Sequence, residues 1–384
     1  MPEQHAFLSA SGAHRWLNCP PSVKLESQFP DKGSESAAEG TLAHKIGENK
    51  VLKYLGLMTA QKYRSEFKNL TLDPKYAPEM DTYTDGYLDF IKDRAAEFKS
   101  KPSIFVEQEV KFDHIVPEGF GTCDCVIIGS DKLVIVDLKY GKNPQNKIFA
   151  KDNPQLMLYA LGAINEFFYI HINTVEMCIF QPRLDHIDSY TITREALEAW
   201  ADSVKPIAEK AYKGEGEYNA GDWCRFCRAK NKCRKYTEYC LQPYEDTNGS
   251  APELLAIDEI GEILKKADAI KKWVTDIEEY ALSEILAGNT IPGWKAVEGR
   301  SVRQFTDTDA AFKALIDSGI DEAVLYERKP IALTAVEKLL GKAEFTTQLS
   351  EYIIKPPGKP TLAPESDKRT AITNKTTAAE AFGA

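Results

Sequence analysis

The chain has 384 residues, 43% of them hydrophobic, which is enough for a sizeable core and for two domains or one domain with a large appendage. A formal net charge of −10 excludes a uniformly basic nucleic-acid coat, while a local basic groove on an acidic body stays compatible with it. No apolar run approaches membrane-spanning length and the first residues carry no signal-peptide pattern, so no membrane partner is expected, and a cytoplasmic protein with reduced thiols is.

In chain order, Ser9 to Asn18 reads as a short helix with Trp16 and Leu17, stopped by Cys19-Pro20-Pro21. Asp31 to Glu39 reads as a polar loop, after which a helix runs towards Leu55 with His44 and Glu48 four apart on one face. Pro78 opens another helix, whose Tyr83, Tyr87, Phe90, Ile91 and Phe98 recur at helical spacing as a core stripe. Phe105 to Phe112, Gly121 to Gly129 and Leu133 to Lys139 read as three strands of an antiparallel meander. A helix follows from Asn153 to Ile164 with Pro154 in its first turn, then strands at Val175 to Gln181 and Ser189 to Ile192, then a helix from Arg194 to Tyr212. Gly214 to Cys240 is rich in cysteine, lysine and arginine. Thr247 to Pro252 reads as a linker, Glu253 to Leu286 as one long amphipathic helix or two, and Trp294 to Phe305 as a hairpin. Short helices are expected near Ala310–Ile316 and Leu333–Leu340, with a mobile tail from Lys355. The expected domains are therefore 1–245, a mainly helical region over 250–354, and a tail over 355–384. No credible phosphate loop with a Lys-Ser/Thr pair is present, so any helicase motor must be a separate chain.

The chemistry concentrates in the meander. Two apolar strands each carry an acid, Asp124 and Asp137, and Lys139 follows the second acid two residues on. Residues i and i+2 of a strand share a face, so Asp137 and Lys139 project together, with Asp124 within reach from the neighbouring strand. Paired carboxylates can hold a divalent cation that generates hydroxide, and an ammonium can stabilise charge on a phosphate or position the attacking water. An unpaired carboxylate at Asp124 would be costly in such an apolar strand, which favours a metal or cationic partner. Hard oxygen ligands with one imidazole suit Mg²⁺ or Mn²⁺. Three cysteines crowd into Cys224-x-x-Cys227-x5-Cys233, which in a reducing compartment suggests metal. Four thiolates suit tetrahedral Zn²⁺, and the fourth is Cys19 or, for a local knuckle, Cys240. Cys123, Cys125 and Cys178 are expected in the core. Arg225, Arg228, Lys230, Lys232, Arg234 and Lys235 surround this segment, interleaved with Trp223, Phe226 and Tyr236. They make either a solvated loop or a single-strand path.

Taken in order, Gly40-Thr41-x-x-His44-x-x-x-Glu48, Gly121-Thr122-x-Asp124, Asp137-x-Lys139 and Gln155-x-x-x-Tyr159 resemble the RecB-like branch of the PD-(D/E)XK nuclease superfamily, over about Ser9 to Cys233. The resemblance implies an α/β fold, with a mixed central sheet flanked by helices and a mainly helical C-terminal extension. It implies that His44, Asp124, Asp137 and the backbone carbonyl of Leu138 bind the metal and that Lys139 is the catalytic lysine. Gln155 and Tyr159 would position that lysine and contact the DNA backbone. Glu109 would be an additional acid, with Glu107 its rival two residues away. Iron–sulfur members of that branch, among them the AddB nuclease domain and the CRISPR-associated RecB-like exonucleases, place one cysteine before the core and three after it. By that likeness Cys19, Cys224, Cys227 and Cys233 would hold a [4Fe–4S] cluster that staples the two ends of the domain.

The implied function is a metal-dependent DNA nuclease, an exonuclease acting on DNA ends or single strands. The C-terminal Gly358 to Arg369 stretch adds a likeness to bacteriophage and prophage proteins of this kind. That implies a role in phage replication or recombination in the bacterial host cytoplasm, beside a separate helicase or a recombination or single-strand-binding protein. The alternatives are a catalytically silent nucleic-acid-binding subunit and a structure-specific endonuclease.

Overall fold

The computed structural model describes residues 6–30, 35–247, 255 and 257–297, with shorter stretches between 307 and 353. The expected linker at 247–252 and the tail from 355 lie outside the described residues, apart from Thr247, as do most of the hairpin at 294–305 and of the helix at 333–340. The chain divides into two compact units, Met1–Ala296 and Val297–Ala384. The second unit contains short helices at Thr308–Asp317, Glu322–Leu325 and Lys342–Leu349.

The first unit is built on a five-stranded mixed sheet in the order β1 (Ser103–Lys111), β2 (Phe120–Gly129), β3 (Lys132–Leu138), β4 (Thr174–Gln181) and β5 (His186–Thr193). The first three strands form the expected antiparallel meander; β3 and β4 are parallel, and β5 returns antiparallel. Parallel pairing requires a crossover between β3 and β4. The crossover contains the helix α6 (Pro154–Glu166), which therefore lies against the sheet beside the end of β3. Residues Leu133 to Leu138 of β3 are all buried, as a central strand covered on both faces should be.

Helices α1 (Ala13–Asn18), α6 and α7 (Arg194–Lys213) contribute to the apolar cluster on one face of the sheet. Helices α3 (Glu35–Tyr54) and α5 (Glu79–Ala96) contribute to the cluster on the other. Asn153 caps α6 by accepting hydrogen bonds from the amides of Gln155 and Leu156, with Pro154 in the first turn. Every residue from Leu156 to Ile164 is buried, the pattern of a helix covered all round. The helix seats closely on β1, since a Cβ at Gly162 would stand 2.9 Å from that of Val110.

Two short helices were not anticipated, α2 (Ser22–Glu26) and α4 (Ala60–Leu70). The region read as a loop to Glu39 is already helical from Glu35. After α8 (Arg234–Thr247), the single helix α9 (Ile257–Leu286) packs on α8 and on the loop before it, within the first unit. Among the described residues no helix is long and apolar enough to cross a membrane.

Candidate active site and thiol cavity

Along β3 the side chains alternate regularly, with Leu133 and Ile135 facing the α6 side and Val134, Val136 and Leu138 the α3–α5 side. This alternation sends Asp137 and Lys139 towards α6. On β1 and β2 it breaks. Cys123 and Cys125 are two apart yet fall in opposite clusters, and Val106 and Val110 are four apart and do the same. A uniform strand would keep each pair on one face. The break lies at Glu107 and Asp124, the facing pair missing from an otherwise continuous β1–β2 ladder. Glu107 holds a left-handed φ of 48°. Backbone strain of this kind in a non-glycine residue costs of order 1–3 kcal/mol and gathers at functional sites. The β2–β3 ladder also ends here, its last pair being Cys125 with Val136. Asp124 and Asp137 thus stand where the strands part.

A cleft of about 350 Å³ opens over this point, lined by His44, Glu107, Asp124, Asp137, Lys139 and Gln155 among others. His44 comes from α3 and places Nδ1 3.2 Å from Asp124 Oδ1. The other oxygen, Asp124 Oδ2, accepts a 2.7 Å hydrogen bond from the backbone amide of Leu138. Lys139 Nζ donates to Asp137 Oδ1 at 3.2 Å and to Gln155 Oε1 at 3.1 Å. The amide nitrogen of Gln155 donates to Asp137 Oδ1 at 3.2 Å and to the Tyr159 hydroxyl at 3.3 Å, which fixes the orientation of the amide. The Tyr159 ring lies against the strand because Gly121 has no side chain; a Cβ there would be 2.9 Å from the ring.

The charges are mutually dependent. Burial opposes charge on His44, but the Asp124 carboxylate outweighs it and lifts the imidazole to about 9. Burial likewise opposes ionisation of Asp124, and His44 with Lys139 brings its pKa below the usual carboxylate value. Burial raises the pKa of Asp137, reinforced by the Asp124 charge and only partly offset by Lys139. Burial disfavours the Lys139 ammonium, yet Asp137 raises its pKa, so it stays a cation and acts as a donor.

His44, Glu107 and Asp124 each offer one ligand atom, all within 4.8 Å of one another. Asp137 Oδ2 is buried and accepts no hydrogen bond, though it lies 2.8 Å from Lys139 Nζ. An acceptor in that state fits a cation. Of the two rival acids on β1, Glu107 lines the cleft and Glu109 is exposed outside it. Leu138 enters through its amide, which orients Asp124. Tyr87 of α5, read as core, has a buried hydroxyl behind the site, in a small space shared with His44, Glu107 and Asp124.

The second set forms a separate small cavity lined by Cys19, Cys224, Cys227 and Cys233. All eight cysteines are free thiols, and Cys123, Cys125 and Cys178 are buried in the sheet as expected. Cys240 packs against Cys224 and Tyr236 but does not line the cavity. The two ends of the segment are tied by the amide of Asn219 donating to Cys19 Sγ at 3.5 Å, across 200 residues. Glu26 completes the tie: it accepts from the Arg228 amide at 2.7 Å and pairs with Arg15 at 2.6 Å. Among the described residues no three cysteine sulfurs lie within 4.8 Å of one another. Burial raises the pKa of Cys19, of Cys224 to about 11 and of Cys227 to about 12, so these thiols keep their protons at neutral pH.

A solved structure described as "Crystal structure of SSO0001" is 16% identical, matching 56% of this chain and 95% of that one, with a TM-score of 0.25. The family described as "Protein of unknown function (DUF2800)" matches residues 5–370, and on that match, which takes in both the carboxylate cleft and the thiol cavity, the chain belongs to the DUF2800 family.

Proposed function

We propose that this chain is a divalent-metal-dependent deoxyribonuclease of the PD-(D/E)XK kind, acting on DNA ends or single strands. The observation that carries this reading is the Lys139 ammonium, held between Asp137 and Gln155 in the same cleft as the His44–Glu107–Asp124 group. Asp124, Asp137, His44 and Glu107 would hold Mg²⁺ or Mn²⁺, with the Leu138 carbonyl as a further ligand. A cation bound there supplies a Lewis acid and lowers the pKa of water. With two of its three N–H bonds on Asp137 and Gln155, Lys139 would use the third to donate to a non-bridging phosphate oxygen or to orient the water that attacks in line. The new P–O bond forms as the bond to the 3′-oxygen breaks, with no covalent enzyme intermediate. Gln155 fixes Lys139, and Tyr159 fixes Gln155.

Cys19, Cys224, Cys227 and Cys233 would hold a structural [4Fe–4S] cluster. Such a cluster would join the two ends of the first unit, with no part in hydrolysis.

The test is an anaerobic preparation assayed on end-labelled single-stranded and duplex DNA and on circular single strands, with Mg²⁺ or Mn²⁺. Cleavage of linear DNA is expected, with circles left intact. Cleaved circles would point to an endonuclease, and binding without cleavage to a silent subunit.

A further inference from the structure

A second groove, of about 600 Å³, leads away from the cleft. It shares Lys139 and Gln155 with the cleft and is also lined by Trp223, Arg225 and Phe226 of the cysteine-bearing loop. Its floor near α6 carries Lys147, Phe149 and Lys151. Two acids, Asp152 and Asp222, also line it, and Arg15 is neutralised by Glu26. The balance of the lining is cationic.

Two rings stand out because water covers them. Phe149 is 57% exposed and Phe226 is 73% exposed, and both line the groove. The Arg225 guanidinium lies over the Phe226 ring, 5.7 Å from its centroid. Elsewhere on the cysteine loop the cations are engaged with the protein. Lys230 pairs with buried Asp276 of α9 at 2.7 Å, and Lys232 sits over the Tyr280 ring at 4.7 Å. Lys235 pairs with Glu238, and Arg228 donates to the Phe29 carbonyl. Lys230 and Lys232 thus face α9, whereas Trp223, Arg225 and Phe226 face the groove.

We propose that the groove conducts one strand of single-stranded DNA to the cleft, with phosphates along Lys147, Lys151 and Arg225 and bases on Phe149 and Phe226. The inference deepens the nuclease reading and rests on it for the identity of the cleft. Exposed rings distinguish the substrate: unpaired bases have faces free to stack on them, whereas paired bases in a duplex are already stacked on each other. Cations alone would serve either form.

The test uses the full chain, prepared anaerobically, with EDTA present so that binding is read without cleavage. Anisotropy of dye-labelled oligo-dT, oligo-U and a blunt hairpin duplex is compared in wild type, Phe149→Ala, Phe226→Ala and a Lys147→Gln/Lys151→Gln variant. Each ring variant should weaken oligo-dT binding about tenfold. The lysine pair should reduce the salt slope by about 1.4. Duplex binding should change little in the ring variants, while the lysine pair weakens both forms. Hydrolysis of bis(p-nitrophenyl) phosphate with Mn²⁺ should match wild type, because none of these residues belongs to the catalytic set. Oligo-dT affinity within twofold of wild type in both ring variants overturns the groove. So does tighter binding of the duplex, and tighter binding of oligo-U moves the substrate to RNA. If wild type hydrolyses no phosphodiester yet loses oligo-dT affinity in the ring variants, the nuclease reading falls and the groove stands. Hydrolysis with unaltered binding gives the reverse.

Discussion

The carboxylate cleft and the thiol cavity solve the same problem, gathering polar groups at one point, by opposite means. The cleft sits on adjacent strands and two helices, and its His44–Asp124 and Lys139–Asp137 pairs each favour the partner's charged form through close contacts. The cavity is assembled from the two ends of the same segment, on short turns and loops, and Cys19, Cys224 and Cys227 are kept neutral there by burial. The cleft is therefore ordered by the sheet before any ligand arrives. The cavity becomes charged only when a ligand displaces its protons, so ligand binding there is tied to the joining of the chain ends. Damage to the cleft should thus abolish chemistry and spare the fold, while damage to the cavity should loosen the fold and reach chemistry indirectly.

The sharpest way to break this contrast is to remove a cleft carboxylate. Asp124→Ala should bring DNA cleavage to background while circular dichroism shows the fold retained, and Lys139→Ala should lower kcat by roughly 10²–10³-fold with Mn²⁺ binding retained. Wild-type turnover in either variant would remove these residues from the chemistry. Next in size is the thiol cavity. Cys19→Ala should lose the bound iron and lower the melting temperature, while Cys240→Ala keeps both; anaerobic metal analysis and thermal melts read the difference. The reverse outcome would make the site a local knuckle within 224–240, and zinc without iron would keep the ligands and change the cofactor.

A smaller effect separates the two acids of β1. Glu107→Gln should weaken Mn²⁺ binding by about 10–100-fold, the scale for disturbing a metal site, and Glu109→Gln should leave it unchanged by calorimetry. Equal losses would mean that the broken ladder does not select between them. The last effect is on pH. His44 is raised from 6.5 to about 9, so in the metal-free protein its pairing with Asp124 contributes fully below 6.5 and is lost as pH rises through about 9. A metal ion competes with that proton. Mn²⁺ affinity should therefore climb from pH 6.5 to 9, by at most about tenfold per pH unit for one displaced proton. A flat profile by calorimetry would remove His44 from the ligand set.

Much of the cleft was legible because short periods govern it. Asp137 and Lys139 share a face by the two-residue repeat of a strand, and Gln155 and Tyr159 by the four-residue repeat of a helix whose start Asn153 and Pro154 announce. Glu107 was not separable from Glu109, because the alternation rule assumes a uniform strand and the chain departs from it at Glu107 itself. Nor does strand periodicity foresee that Cys123 and Cys125 face opposite sides. The role of Cys19 had no local signal, since its neighbours in space are some 200 residues away. The division of the basic loop was equally hidden, because it depends on Asp276, a buried acid on a distant helix.

The same separation has a consequence for biosynthesis. Cys19 leaves the ribosome 200 residues before Asn219, its hydrogen-bond donor in the finished protein. At about 5–20 residues per second that interval is roughly 10–40 s. Throughout it the Cys19 thiol, buried in the folded chain, lacks the part of its wall that residues 218–236 supply and is more open to oxidants and stray metal ions. Any group held by all four thiols would have to wait until the loop carrying Cys224, Cys227 and Cys233 has emerged, which would make its uptake a step of late or completed synthesis.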